Sequence, residues 1–237
     1  QIFEPGEAPS HTARSTAEPG YYIDFFNSAW WIDSLNSEYY HKSKLVPGSE
    51  IIPFSFLLKP LESLALNLGG ITGSLGTQKN RAVFKSKGSK IVAAPIICYE
   101  SIYSDYVRDY TQLGANIFCI ITNDGWWENT PGYKQHLRYA QLRAIENQRC
   151  IVRSANTGIS AFIYPDGHIE QRTSWWNTQV ISTLLPLYEN RTLYAQTGDW
   201  IGKSSLLTSV LLMLFDLLKW LYRIIKKIAF RISNKEF

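Results

Sequence analysis

Two almost unbroken apolar runs, Ile91–Cys98 and Asn116–Thr122, restrict this chain more than any other feature. A strand with one face in water alternates polar and apolar residues. A strand without alternation is buried on both faces, as in parallel sheets covered on each side. Between the runs, Ser101–Leu113 fits a helix with Ser101 near its start, and Gln135–Gln148 fits a second helix ending before Cys150. Strands are predicted at Cys150–Ala155, Ile159–Tyr164, His168–Arg172 and Gln179–Leu184. Pro165-Asp166-Gly167 is a turn, because proline presets φ and glycine accepts positive φ. Strands alternating with helices, followed by a hairpin run, indicate an α/β sandwich. Upstream, the aromatic and β-branched stretch Tyr21–Asp33 suits a strand, and Asn36-Ser37 turns the chain into a short strand at Glu38–His41. Pro47-Gly48 breaks the pattern, and Ile51–Gly76 reads as a mixed loop and helix region.

The two ends differ from this middle. Gln1–Gly20 is polar, rich in Pro, Gly and Ser, and lacks the apolar segment of a signal peptide. Residues 1–20 read as a loop entered in mid-domain, so the chain is expected to be a fragment or to have lost an N-terminal part. Residues 21–200 are expected to form the main domain, incomplete at its N-terminus, and 201–231 a transmembrane or interfacial helix with a basic flank. Leu206–Leu218 is apolar except for Thr208, Ser209 and Asp216. As a helix, Ile201–Tyr222 would be about 33 Å long, enough for a hydrocarbon core of about 30 Å. Asp216 and Lys219, three apart, can pair on one face. Lys219, Arg223, Lys226 and Lys227 also recur at helical spacing, which leaves open an amphipathic helix lying on the bilayer. If the helix spans, this cluster lies in the cytoplasm and the main domain outside.

The net charge of +4 is concentrated in that tail, so general attraction to nucleic acid is not implied. Three cysteines, Cys98, Cys119 and Cys150, include no C-x-x-C pair, which argues against a disulfide framework and a zinc site. Neither a metal nor another cofactor is expected. Cys98 closes a buried strand just before a helix, where the strand would fix it and the helix N-terminus would favour a thiolate and supply N–H groups to an oxyanion. The plain alternative is a buried, inert thiol, which is the reading preferred for Cys119 and Cys150. Lys42, in Tyr40-His41-Lys42-Ser43-Lys44-Leu45-Val46-Pro47, is a candidate oxyanion donor or modulator of the thiol; the alternative is a solvated strand edge. The loop Asn123-Asp124-Gly125-Trp126-Trp127 follows the next strand and would lie beside Cys98, its tryptophans walling an apolar substrate or touching the membrane interface. Arg143 and Glu146, three apart on one helix, read as a structural ion pair.

Taken in order, YHKSKLVPGSE, ICYE, TNDGWW, QHLRYAQLRAIENQR, RSANTGISAFIYPDGHI and TGDW resemble the nitrilase, or carbon–nitrogen hydrolase, superfamily. The LVPG-x-E element, the tryptophan loop and the TGDW-then-helix ending resemble its acyltransferase branch. The resemblance covers roughly Tyr21 to Lys227 and implies a Glu-Lys-Cys triad on an α-β-β-α sandwich, here N-terminally truncated and followed by one C-terminal membrane helix. It implies that Cys98 takes an acyl group from phospholipid as a thioester and passes it to the amine of a diacylglyceryl-cysteine lipoprotein. It also implies a bacterial inner-membrane location with the domain facing the periplasm. Lys42 matches the lysine and Glu50 a further glutamate of the LVP segment. Tyr99 and Glu100 follow the nucleophile as supporting residues, and Trp126 and Trp127 are the candidate substrate wall. The family's general-base glutamate precedes the lysine in a Pro-Glu-Ser/Thr context that Glu4, Glu7, Glu18 and Glu38 do not have, so the chain as given is expected to be inactive. A membrane-tethered amidase and a non-catalytic binding domain of the same fold are the alternatives.

Overall fold

Three short strands open the chain: β1 (Ile2–Phe3), β2 (Arg14–Ser15) and β3 (Tyr22–Ile23), paired antiparallel in the order β1-β3-β2. The computed structural model describes residues 1–33, 37–51 and 74–233, with side chains described to residue 227. Residues 1–20 are therefore more than the loop expected, since two of these strands lie within them. The predicted strand Tyr21–Asp33 is likewise two pieces, β3 and β4 (Ser28–Ile32). The break follows Asp24, whose buried carboxylate accepts from the Thr12 hydroxyl at 2.8 Å and from the Phe25 N–H at 3.0 Å. β4 pairs antiparallel with β5 (Ser37–His41), Ala29 opposite Tyr40. Of Ile51–Gly76, only Ile51 and residues 74–76 lie among those described.

The main sheet begins with β6 (Phe84–Lys85) and β7 (Val92–Ile97). A five-residue 3-10 helix, Cys98–Ile102, and then α1 (Ser104–Gln112) follow β7, in place of the single helix predicted over Ser101–Leu113. Next come β8 (Ile117–Thr122), α2 (Gly132–Asn147), β9 (Cys150–Ala155), β10 (Ala161–Ile163) and β11 (Ile169–Arg172). The order across the sheet is β11-β10-β9-β8-β7-β6, with β7, β8 and β9 parallel and the outer pairs antiparallel.

The unalternating run of β7 has the burial expected of it. Ala94 and Ile96 join Tyr106, Val107, Leu137 and Ala140 of α1 and α2 in one core. Ala93 and Ile97 point the other way, into a second core with Ala29, Tyr40 and Phe84. Helices, the six-stranded sheet and the β4–β5 hairpin thus form three successive layers of an α/β sandwich among the described residues. Each fully buried side chain such as Ile96 contributes about 2 kcal/mol through removal of apolar surface from water.

Gln179–Leu184 is not a strand. No strand among the described residues pairs with it, and Val180 and Leu184 stand almost fully in solvent. Guanidinium groups hold the segment that follows. Arg149 donates to the Ala115 carbonyl at 2.7 Å and the Glu189 carbonyl at 3.3 Å, and Arg108 to the carbonyls of Ala195 and Gln196 at 2.9 Å each, in and after α3 (Leu193–Thr197).

The chain divides into two units, Gln1–Gln196 and Thr197–Phe237. The second contains α4 (Trp200–Ser233), which runs one residue before and two residues past the 201–231 helix expected. Trp200–Lys227 contains an 18-residue window with a mean hydropathy of 1.6 and is long and apolar enough to cross a membrane. Lys219 lies 4.3 Å from the Phe215 ring centroid, and no ion pair with Asp216 forms.

Candidate active site

Cys98 sits where β7 ends, half-buried, with φ at 50°. This left-handed conformation costs a residue with a Cβ roughly 1–2 kcal/mol, so neighbouring contacts must hold it. The Ser101 hydroxyl donates to the Cys98 carbonyl at 2.7 Å, and His136 Nε2 lies 3.2 Å from the same oxygen. Because only a short 3-10 helix follows directly, the helix-terminus contribution expected for a thiolate is smaller than a full α-helix would give. Cys98 opens onto a cavity of about 480 Å³ whose apolar walls include Val46, Ile102, Ile121, Trp126 and Trp127.

Lys42 is not on a solvated edge. It is 1% exposed, and its Nζ donates to Glu50 Oε1 at 2.8 Å and Oε2 at 2.7 Å. Glu50 lines the cavity and also accepts from Asn27 Nδ2 at 3.0 Å and the Val46 N–H at 2.8 Å. A buried ammonium without a partner would be strongly disfavoured, and Glu50 supplies that partner. Two of the three ammonium donors are then used, and the third has no protein acceptor among the described residues.

Glu100 ties the backbone beside Lys42 to the backbone beside Cys98. Fully buried, it accepts from the Ile97 N–H at 2.7 Å, just before Cys98, and from the Ser43 N–H at 2.6 Å, just after Lys42. The hydroxyls of Tyr40 and Tyr106 donate to the same carboxylate at 2.7 and 2.9 Å. Burial, reinforced by the charge of Glu100, pushes both phenols above their ordinary range and keeps them as donors. Tyr99 lines the cavity and meets Tyr103 edge-on at 5.3 Å.

A second buried network had no role assigned to it from sequence. Asp124 accepts from the Thr122 hydroxyl at 2.9 Å, from His136 Nδ1 at 2.8 Å and from Arg153 Nη2 at 2.7 Å. Burial alone would raise its carboxyl, but the hydrogen bond from His136 and the charge of Arg153 outweigh it and hold the pKa near about 2. The sequence signal was the polar loop after β8; the partners, on α2 and β9, are distant in sequence and gave none.

Trp126 and Trp127 lie in a 3-10 turn, 64% and 43% exposed, at the edge of the cavity. Gly132 has no side chain because Trp127 occupies the space; a Cβ there would be 2.6 Å from the indole. Arg143 pairs with Glu146 at 2.8 Å and also donates to the Ile102 carbonyl at 3.0 Å, as befits a structural pair. Burial pushes the thiols of Cys119 and Cys150 up to about 11, with Asp166 adding to the shift at Cys150. Among the described residues no cluster of His, Cys, Asp and Glu could hold a metal ion.

Residues 11–193 match the family model described as carbon-nitrogen hydrolase. An apolipoprotein N-acyltransferase from Chlorobaculum tepidum is 35% identical over 164 residues, covering 68% of this chain and 31% of that protein. Another from Rhizobium meliloti is 35% identical over 190 residues, covering 78% and 34%. The chain spans about a third of the length of these curated relatives. Among solved structures, the glutamine-dependent NAD+ synthetase from Acinetobacter baumannii superposes with a TM-score of 0.50 at 14% identity, covering 70% of this chain and 29% of that one. At that identity the likeness concerns the fold alone.

Proposed function

The chain belongs to the carbon–nitrogen hydrolase family, and from that premise we propose that it is the cysteine-bearing part of an apolipoprotein N-acyltransferase. Cys98 is its nucleophile. The thiolate attacks the ester carbonyl of a phospholipid, the C–S bond forms, and the lysophospholipid leaves with the electron pair of the broken C–O bond. The amine of a diacylglyceryl-cysteine lipoprotein then attacks the thioester, forms the amide and releases the thiol. This two-step route suits exchange between two bulky lipids. Lys42 donates its remaining N–H to the oxyanion, Glu50 holds that ammonium in orientation, and Glu100 sets the spacing between the Lys42 and Cys98 segments. Trp126 and Trp127 wall the acyl chain. No residue of this chain is assigned as the general base, and the chain on its own is proposed to be inactive. Residues 21–200 form the catalytic domain, and 201–231 anchor it in the bacterial inner membrane with the domain in the periplasm.

The observation that carries this reading is the buried Lys42–Glu50 pair beside a cavity of apolar walls onto which Cys98 opens. The relatives named as apolipoprotein N-acyltransferases support the choice of acceptor. The test uses membranes from cells expressing the native gene, given phospholipid labelled in its acyl chain and a diacylglyceryl-cysteine peptide. The expected products are labelled N-acyl peptide and lysophospholipid. Labelled free fatty acid with no acylated peptide would favour a hydrolase instead.

A further inference from the structure

We infer that His136 is a positioning residue for Cys98, held by Asp124 and Arg153 so that its Nε2 fixes the Ser101 hydroxyl, which in turn holds the Cys98 carbonyl from behind the site. This inference rests on the reading of Cys98 as the nucleophile. His136 is buried on α2, and Asp124 is ionised, so Nδ1 is the donor in the 2.8 Å contact between them. Arg153, also buried, fixes the other carboxylate oxygen at 2.7 Å. The ring is thereby oriented, and its Nε2 accepts from the Ser101 hydroxyl at 2.9 Å, the same hydroxyl that donates to the Cys98 carbonyl at 2.7 Å, with Nε2 itself 3.2 Å from that carbonyl.

The peptide after Cys98 is planar and trans, so fixing its carbonyl also fixes the Tyr99 N–H on the opposite side. Cys98, Tyr99 and His136 all border the same cavity. Three consecutive parallel strands thus contribute to one device: β7 ends in the gripped residue, Asp124 follows β8, and Arg153 lies on β9. Gly158 is part of it, because a Cβ there would lie 2.2 Å from Asp124 Oδ2. The network orients a strained backbone unit and takes no proton from the thiol.

The experiment compares two electrophiles on Cys98 in the 237-residue chain in detergent, with Cys98 read by peptide mass spectrometry. At about pH 9 an ordinary thiol is largely ionised without a base. With a p-nitrophenyl ester, the thiolate attacks the carbonyl carbon, the C–S bond forms and p-nitrophenolate leaves with its electron pair. That step needs an oriented oxyanion site. Alkylation by iodoacetamide, a displacement at carbon with no oxyanion, does not. In His136→Ala the acylation rate is expected to fall on the order of 100-fold, the scale of a small misplacement, while alkylation of Cys98 stays near that of the unchanged chain. Gly158→Ala, which displaces Asp124 without touching His136, is expected to give the same selective loss and decides the matter if His136→Ala does not fold. Both rates unchanged, or both falling together with labelling of Cys119 and Cys150, would overturn the positioning role. No acylation of Cys98 in the unchanged chain would overturn the nucleophile itself, and this inference with it.

Discussion

Lys42 is the residue whose chemistry depends most on its surroundings. An ammonium with two donors on one carboxylate and a third without a protein acceptor among the described residues is a compact oxyanion donor, whereas a guanidinium is a larger planar fork that would pair with Glu50 in its own plane and not present a donor where the ammonium does. Lys42→Arg is therefore expected to fail nearly as badly as Lys42→Ala in the acyl-transfer assay, each losing on the order of 100-fold. Near-normal transfer with Lys42→Ala would remove the oxyanion role and leave Lys44, which lies 5.6 Å from the Tyr103 ring centroid, as the residue to test. Asp124 gives a prediction in pH. Its folded pKa is depressed from 3.8 to about 2, so the stability it contributes is present above the ordinary aspartate range and is lost as pH falls from 3.8 toward about 2. The linked free energy is on the order of 2 kcal/mol. Circular dichroism should show stability falling with acid across that window, and Asp124→Asn should flatten the fall while lowering stability at neutral pH, because Arg153 loses its partner. An unchanged acid profile in Asp124→Asn would contradict the assignment.

Between elements, Glu100 is the tie from the end of β5 to the end of β7. Glu100→Gln replaces one acceptor with a donor among groups that all donate, so at least one buried N–H or O–H loses its partner. A loss of about 2 kcal/mol or more in chemical denaturation is expected, together with a fall in acyl transfer; full stability would show that the carboxylate is not the tie. The parallel strands were legible in the sequence because their apolar runs do not alternate, although only β7 is buried on both faces; β8 buries Phe118 and Ile120 but leaves Ile121 exposed on its other face. Lys42, Glu50, Cys98 and Glu100 were legible as motif positions. The Asp124–His136–Arg153 network was not, because it joins three elements through polar contacts that leave no periodic trace. The predicted strand at Gln179–Leu184 failed for a related reason: β-forming residues such as Val180 and Ile181 favour a strand only where a partner is available, and no strand among the described residues pairs with them. Tyr21–Asp33 was divided by the side-chain bonds of Asp24, which a count of β-formers does not register.

At the scale of the whole molecule, the chain joins an α/β unit to a helix whose side chains stand exposed along Trp200–Lys227. Basic residues on the carboxyl side of a span are retained in the cytoplasm, so the proposed orientation, with the domain before it on the outer side, can be tested directly. In a Cys98→Ser background, a new cysteine in Ser174→Cys should react with an impermeant maleimide in intact spheroplasts, and one in Ser233→Cys only after permeabilisation. Labelling of both from outside would rule out a span, and labelling of position 233 alone would invert the topology. The claim on which the whole account depends is that Cys98 carries the acyl group. Incubation with phospholipid, without acceptor, should add the mass of one acyl chain to the native protein, on the peptide containing Cys98, and hydroxylamine should remove it. An acyl group that persists in Cys98→Ser as a thioester at Cys119 or Cys150 would contradict the account.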